Sequence, residues 1–436
     1  MRNGGRISAA ITVLTDVIGR HQPVKIAVRD WGKSARYAGS KDRAWVSGLV
    51  LDALRRRNST AHMMGFDDPR ALVLGTLRFV WDWPAQDIEQ ACYDEHGPTP
   101  LTNAERDALL VTALDPAAPL HIQGDFPEWM TPHMERVFGT DTVAETKAMA
   151  VRADVDLRVN SLKSDSEKAA LPLKTIRGEP SKLLNNAYNI PARDPTLRED
   201  SIEGIPAFSK GWVEVQDAGS QIAAAAANAK PGEQVLDFCA GGGGKTLALA
   251  AQMDGKGQIY AYDIDGKRLS ALVPRLKRAG VHNVQLVHPS EGTSLDPLIA
   301  QMDLVFVDAP CTGTGTWRRK PDSKWRVKPG QLEKRIEDQR QILAEAANYV
   351  KPGGRMLYAT CSFLIEEDED GVTEFLAADA RFTEEDAAEA AIASGLLTDH
   401  GAAIVRKFRG PTGSVRLTPE RAGTDGFFFA VLRRTS

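Results

Sequence analysis

Cysteine is scarce in this sequence: Cys92, Cys239, Cys311 and Cys361 are the only four in 436 residues. So few exclude a disulfide scaffold, and no two stand in a C-x-x-C pair, so no zinc site is expected. Reduced thiols, and with them a cytoplasmic protein, fit this pattern. Long apolar runs are missing as well. No stretch reaches the roughly 18 apolar residues of a membrane-spanning helix. The apolar-leaning segment Ile7–Ile18 carries Asp16 and has no cleavage-site pattern. Its Ala10, Ile11, Leu14 and Ile18 recur at helical spacing, which predicts an amphipathic helix and not a signal peptide. Bulk charge is missing too: 54 Lys/Arg against 58 Asp/Glu give the whole chain no nucleic-acid signature. There is no internal repeat and no low-complexity tract, and the alanine run 223–227 is simply strong helix.

The distribution of charge says more than its sum. Residues 1–57 hold twelve Lys/Arg and four Asp/Glu, and residues 316–330 hold six bases and one acid. Residues 366–389 run the other way, with eleven acids and one Arg. We read the acidic run as a solvated helix face. The length predicts two or three domains. Residues 1–140 read as all-helical, with apolar stripes such as Ala44, Val46, Leu49, Val50, Ala53 and Leu54, capped by Ser40 or Asp42. Further helices are expected over Pro69–Val80 and from Thr102 or Asn103 to Leu114. Residues 141–205 change character, as either a small α+β segment or an extended linker. Residues 206–436 alternate strand and helix, with strands expected at 213–215, 234–238, 258–262, 284–287, 304–307 and 356–358. Helices are expected at 267–279 and 331–350, and strand-like tails at Ala403–Phe408 and Gly426–Leu432. Repeated βα units predict a doubly wound parallel sheet.

The chemistry gathers in 304–361. Two apolar runs, Leu304–Val307 and Met356–Tyr358, each stop at small polar residues, as buried parallel strands do. A helical stretch lies between them, so both strands point the same way. Cys311 and Cys361 each follow a strand, on the rim where open α/β sheets bind ligands, together with Asp308. A lone cysteine is more often a small buried hydrophobe. Two of them beyond strand ends, beside Pro, Thr, Gly and Ser, weaken that reading.

The loop Asp237–Thr246, DFCAGGGGKT, sits between strand and helix. It is not a nucleotide-triphosphate loop, which requires glycine where Cys239 stands. Its glycines let the backbone approach a ligand closely, and Asp263, ending the next strand, can accept from two ribose hydroxyls. A nucleoside-containing cofactor is expected; the loop alone does not say which.

DAPCTGTG, ATCS, DFCAGGGGKT and VQDAGSQIA, taken together, resemble the Fmu/Sun family of RNA cytosine-5 methyltransferases, over roughly residues 150–436. KDRAWVSGLVLDALRRR resembles the NusB-type helical RNA-binding domain carried by the bacterial 16S rRNA members. The resemblance implies a Rossmann-like methyltransferase domain over 206–436 behind a NusB-like domain over 1–140. It implies S-adenosylmethionine as cofactor, held by Cys239, Ala240, Gly241, Gly242, Gly243, Gly244, Lys245, Asp263, Arg268 and Asp308. It implies Cys361 as the attacking thiol, Cys311 as the group that removes the carbon-5 proton or assists release, and Asp308 at the cytosine edge. RNA, most of all rRNA, is the implied partner, with Arg318, Arg319, Lys320 and Trp325 as candidate contacts; their bland reading is a solvated loop with its Trp anchored in a core. Two departures stand out. The family motif Cys-Ala-Ala-Pro-Gly-Gly-Lys has Gly241 and Gly242 here in place of Ala and Pro. The usual acidic residue near the adenine is replaced by a choice of Ser290 or Glu291. Other readings are a tRNA methyltransferase, a catalytically silent RNA-binding assembly factor, and a small-molecule methyltransferase. The two thiols with Asp308 argue against a silent factor, and the basic segment 1–57 against a small-molecule substrate.

Overall fold

The computed structural model describes residues 1–197, 201–288 and 293–436. Ser290 and Glu291 therefore lie outside the described residues. The chain divides into two compact units. One comprises Met1–Arg152, Arg193–Asp200 and Trp317–Val327; the other comprises Ala153–Ala192, Ser201–Thr316 and Lys328–Ser436.

The first unit is built of helices, among them Asn3–Gly19, Val24–Ser34, Ser40–Arg55, Arg57–Met64 and Pro69–Phe79. The stripe Val46, Leu49, Val50, Ala53 and Leu54 is wholly buried against Ile7, Leu14 and Leu72. Each of the Val, Leu and Ile side chains contributes about 1.5–3 kcal/mol on burial. The helix ends follow capping chemistry. Asp68 accepts from the Arg70 and Ala71 N–H groups at 2.9 and 3.0 Å, ahead of Pro69 in the first turn. Thr102 and Glu105 form a reciprocal capping box. Helix Ser40–Arg55 starts after Gly39, whose N–H donates to Asp42 at 3.1 Å.

The second unit holds two sheets. The smaller is four-stranded: β1 (Val155–Val159), β2 (Glu179–Pro180), β3 (Ala187–Ile190) and β4 (Val213–Val215), in the order β2-β3-β1-β4. Of residues 141–205, expected as a small α+β segment or a linker, Val155–Ile190 thus holds three strands of this sheet and helix Ser166–Lys174. The larger contains β5 (Gln234–Asp237), β6 (Gln258–Tyr262), β7 (Val284–Val287), β8 (Met302–Asp308), β9 (Val350–Thr360), β10 (Phe382–Glu385), β11 (Val415–Leu417) and β12 (Phe427–Arg434). Its order is β10-β12-β9-β8-β5-β6-β7, with β11 also on β12. Strands β9, β8, β5, β6 and β7 are parallel, while β12 pairs antiparallel with β9. This is the doubly wound α/β architecture expected, with its order reversing between β5 and β8.

The helix expected to reach Leu114 ends at Ala108, the one expected to reach Val350 ends at Ala346 ahead of β9, and two further expectations fail. Ala403–Phe408 is not a strand; it lies at the end of helix Asp399–Lys407, which Thr398 caps by accepting from the Gly401 N–H at 3.0 Å. The cap and the basic residues of the last turn outweigh the local β-branched content. The helix expected over Lys267–Ala279 is two, Gly266–Ser270 and Leu272–Ala279. Pro274 has no N–H to give the Ser270 carbonyl, so the first helix stops there.

Candidate active site

The parallel register puts the carboxyl ends of β5, β6, β8 and β9 on one rim. Asp237 aligns with Phe306 of β8, and Asp308 with Ala359 of β9. The turns that leave β8 and β9 bring Cys311 and Cys361 together, Sγ to Sγ at 3.4 Å. The residues around them explain the small polar motif. Gly315 donates its N–H to the Cys361 carbonyl at 3.0 Å and accepts from the Gly426 N–H at 2.8 Å. The Thr314 hydroxyl meets that of Ser362 at 3.0 Å and accepts from the Phe363 N–H at 3.2 Å. Gly313 turns with φ +72°, a conformation that favours glycine. Any Cβ on Gly315 would collide with the Gly426 backbone. Gly315→Ala is therefore expected to cost about 1–3 kcal/mol through overpacking, read as a lower melting temperature with weaker activity. An unchanged melting curve would show that these turns are not locked together.

The two thiols are not equivalent. The hydrogen bond from Cys311 holds the Cys361 pKa below its ordinary value, against burial and the Asp308 carboxylate, while the Lys245 ammonium helps to lower it. The same hydrogen bond and burial push the Cys311 thiol up. Cys361 is thus the sulfur disposed to ionise, and Cys311 the one that keeps its proton and donates it. Lys245 donates to Asp308 at 2.8 Å and lies 5.1 Å from the centre of the Phe427 ring. Burial opposes its charge, but the Asp308 carboxylate more than compensates, so Lys245 stays an ammonium.

The glycine loop wraps the end of β6. Gly241 and Gly243 have φ of +52° and +81°. The Asp263 carboxylate accepts from the Gly241 and Asp265 N–H groups, both at 2.8 Å. A carboxylate has about four lone-pair sites, so it keeps capacity for two further donors. A Cβ on Gly241 would come within 3.0 Å of the Arg268 guanidinium and 3.7 Å of Asp263. Gly241, Asp263 and Arg268 therefore lie together in one cradle, where a side chain at 241 would press on the Arg268 guanidinium. Gly242 is exposed, and its carbonyl accepts from Arg275. Ala240 is buried, its N–H donating to the Tyr262 carbonyl at 2.9 Å, and Gly244 opens helix Gly244–Gln252. Cys239 is a protonated thiol, its pKa raised by burial and the surrounding carboxylates. Beneath the loop, Asp237 accepts from the Thr246 hydroxyl at 2.6 Å, and burial pushes it up to about 7.

Sequence reasoning missed one group of residues. Glu367 and Asp368 fall in the acidic run read as a solvated face, yet both are 0% exposed. Glu367 accepts from Thr312, and Asp368 from the Thr360 hydroxyl at 2.6 Å. Arg416 pairs with Asp368 and Glu369. No periodicity in an unbroken acidic run reveals that two members turn inward; their position six and seven residues after Cys361 is the only signal.

The basic segment behaves differently from the thiols. Residues Trp317–Val327 cluster with the helical unit. Trp317 is 1% exposed, and the Trp325 indole N–H donates to the Leu54 carbonyl at 2.7 Å beneath the Arg57 guanidinium. Arg318 is buried and its carbonyl accepts from Arg55 at 2.7 Å; Arg319 is half-buried and Lys320 exposed. Lys324 is buried and donates to the Arg55 carbonyl at 3.1 Å, and burial lowers its pKa to about 7. Trp325 thus packs against the helical core, and the Trp317 ring is buried beside Lys324.

A family model described as 16S rRNA methyltransferase RsmB/F matches residues 224–433. The chain is 29% identical to the probable ribosomal RNA small subunit methyltransferase B of Synechocystis, covering 72% of this chain and 67% of that one. It is 30% identical to the ribosomal RNA small subunit methyltransferase B of Erwinia tasmaniensis, covering 70% and 66%. The alignments thus span about two thirds of the length of these relatives. Among solved structures, the crystal structure of PH0851 is 25% identical with a TM-score of 0.73, covering 100% of this chain and 99% of that one. A methyltransferase homologue from Pyrococcus horikoshii is 26% identical with a TM-score of 0.57, covering 74% and 100%.

Proposed function

Because the chain belongs to the RsmB/F family of 16S rRNA methyltransferases, we propose that it methylates carbon 5 of a cytosine in 16S rRNA through a covalent cysteine–cytosine adduct. The observation that carries this reading is the pair of unequal thiols 3.4 Å apart, on the same rim as the Lys245–Asp308 ion pair.

Carbon 5 of cytosine is too weak a nucleophile to take a methyl group directly. The Cys361 thiolate adds to carbon 6, and carbon 5 becomes enamine-like; one difficult step becomes two easier ones. Asp308 hydrogen bonds the cytosine edge and stabilises the protonated ring nitrogen 3, while Lys245 holds that carboxylate in place. Cys311 serves the second half. With Cys361 bound to carbon 6, the hydrogen bond that kept Cys311 protonated is gone and Cys311 gives up its proton; as a thiolate it takes the carbon-5 proton, the C5–H electron pair restores the C5=C6 bond, and the C6–S pair returns to Cys361. The net proton goes to solvent. The base reaches this rim only outside its stack.

The cradle of Gly241, Asp263 and Arg268 suits a nucleoside cofactor. The free acceptor capacity of Asp263 matches ribose hydroxyls, and the glycines admit a ligand close to the backbone. S-adenosylmethionine bound there supplies an electrophilic methyl group. Asp263→Ala is expected to weaken its binding by about 1.5–3 kcal/mol, the worth of a hydrogen bond to a charged group, with the fold intact. Unchanged affinity by calorimetry would remove Asp263 from the site.

The experiment for the whole reading is bisulfite sequencing of 16S rRNA and tRNA from a strain lacking this chain, before and after treatment with the purified protein and S-adenosylmethionine. One cytosine of 16S rRNA is expected to become bisulfite-resistant. Resistance only in tRNA would move the substrate, and no resistant cytosine would reject carbon-5 chemistry.

A further inference from the structure

The turn that carries Cys311 is restrained on both sides by side chains from elsewhere in the sheet unit. On one side, Glu367 accepts from the Thr312 N–H at 2.8 Å through Oε1 and from the Thr312 hydroxyl at 2.5 Å through Oε2. On the other, Gln339 donates through Nε2 to the Pro310 carbonyl at 2.9 Å and to Glu367 Oε1 at 3.1 Å. Residues 310 and 312 are therefore both tied to one Glu–Gln pair, with Cys311 between them. The pair is itself held firmly. Gln339 projects from helix Pro329–Ala346 and is 2% exposed, and Glu367 is 0% exposed. The Glu367 carbonyl accepts from the Tyr358 hydroxyl at 2.6 Å, and its N–H donates to the Leu364 carbonyl at 3.0 Å. Burying a carboxyl group is costly unless hydrogen bonds satisfy it. Packing alone would be served better by an apolar residue. What this carboxyl does that an apolar residue cannot is take two donors of one residue with two oxygens, which fixes both position and orientation.

We propose that Glu367, with Gln339, is a positioning residue for the release half of the reaction, clamping the Pro310–Thr312 turn so that Cys311 stays against Cys361. This rests on the two-thiol reading above. Release requires the Cys311 thiolate to take the carbon-5 proton while the C6–S bond breaks and its electron pair returns to Cys361. Both events need Cys311 within contact distance of Cys361, so a turn that swings away slows release most; attack loses the Cys311 hydrogen bond but keeps the Lys245 ammonium that favours the Cys361 thiolate. Effective orientation of this kind is lost with displacements on the order of 1 Å.

The test uses the full chain with labelled target RNA and S-adenosylmethionine, comparing Glu367→Ala, Glu367→Gln, Gln339→Ala and Cys311→Ala. Three quantities are read: methyl transfer in the first turnover, covalent protein–RNA adduct on a denaturing gel, and melting temperature. Glu367→Ala is expected to transfer its first methyl group at a rate within about threefold of the parent, then release RNA about tenfold or more slowly, so that adduct accumulates. Glu367→Gln is expected to restore release, since its carbonyl can accept from the Thr312 N–H while its amide donates to the Thr312 hydroxyl. Gln339→Ala keeps Glu367 in place and is expected to accumulate adduct to a smaller extent; it carries the test if Glu367→Ala fails to fold. Loss of attack and release in equal proportion, following the folded fraction and without adduct, would make Glu367 merely structural and overturn the proposal. If Cys311→Ala itself traps no adduct, the two-thiol reading fails instead, and the two failures are told apart on the same gel.

Discussion

Cys361→Ala is expected to form no covalent RNA adduct and to show no turnover, whereas Cys311→Ala should attack, accept the methyl group and stay bound to the RNA. The asymmetry follows from the two environments. Cys361 has its pKa lowered by the Cys311 hydrogen bond and, in part, by the Lys245 ammonium, so at neutral pH it carries more thiolate than an ordinary cysteine. Cys311 is held protonated while it is hydrogen-bonded to Cys361, before the adduct forms, and cannot replace it as nucleophile. Removing Cys361 removes the covalent route, a loss of at least about 10³-fold by comparison with other nucleophile deletions. Removing Cys311 takes away the base for elimination, and the intermediate has no other exit. The same ionisation predicts the pH profile: activity falls on the acid side as Cys361 protonates, at a pH below the ordinary cysteine value. Steady-state assays of both variants and a pH series on the parent check these points. Adduct from Cys361→Ala but not from Cys311→Ala would reverse the roles. Undiminished methylation in both would make the cysteines structural.

Asp308→Asn is expected to lower kcat by about 10²–10³-fold with little change in RNA affinity, because it removes a charge that acts where the ring nitrogen becomes protonated. The amide keeps the side chain's shape, so the turns after β8 and β9 should survive. Lys245 will lose its partner, however. It is 10% exposed along its side chain, and a buried ammonium without its carboxylate is costly. A lower melting temperature should therefore accompany the rate loss. Asp308→Asn with normal kcat would place Asp308 outside the chemistry and leave it only the role of counter-ion to Lys245.

Much of the site was legible before the structure. The strands β5, β8 and β9 are buried on both faces, so their apolar runs are nearly continuous and stop where the chain meets the rim. That is why Asp308, Cys311, Cys361 and the glycine loop could be placed on one edge. Signals that depend on tertiary context were not legible. Glu367 and Asp368 look like their exposed acidic neighbours, and only the fold turns them inward to meet Thr312 and Thr360. Trp317 and Trp325 flank basic residues in a way that fits base stacking equally well; the placing of Trp325 in the helical unit follows from contacts with Leu54 and Arg57, some 270 residues earlier in the chain. At Ala403–Phe408 local composition favoured a strand, and the Thr398 cap decided for a helix.

The covalent assignment is tested most directly with target RNA in which the reactive cytosine carries fluorine at carbon 5. Fluorine cannot leave as a proton, so elimination is blocked and the parent protein should stop as an adduct. Tryptic digestion separates the two thiols, because Cys361 lies in the peptide Met356–Arg381 and Cys311 does not. Mass spectrometry is predicted to find the methylated fluorocytidine on Met356–Arg381, at Cys361. The same nucleotide on the peptide that contains Cys311, or full methylation of the RNA with no adduct on either peptide, would contradict the account.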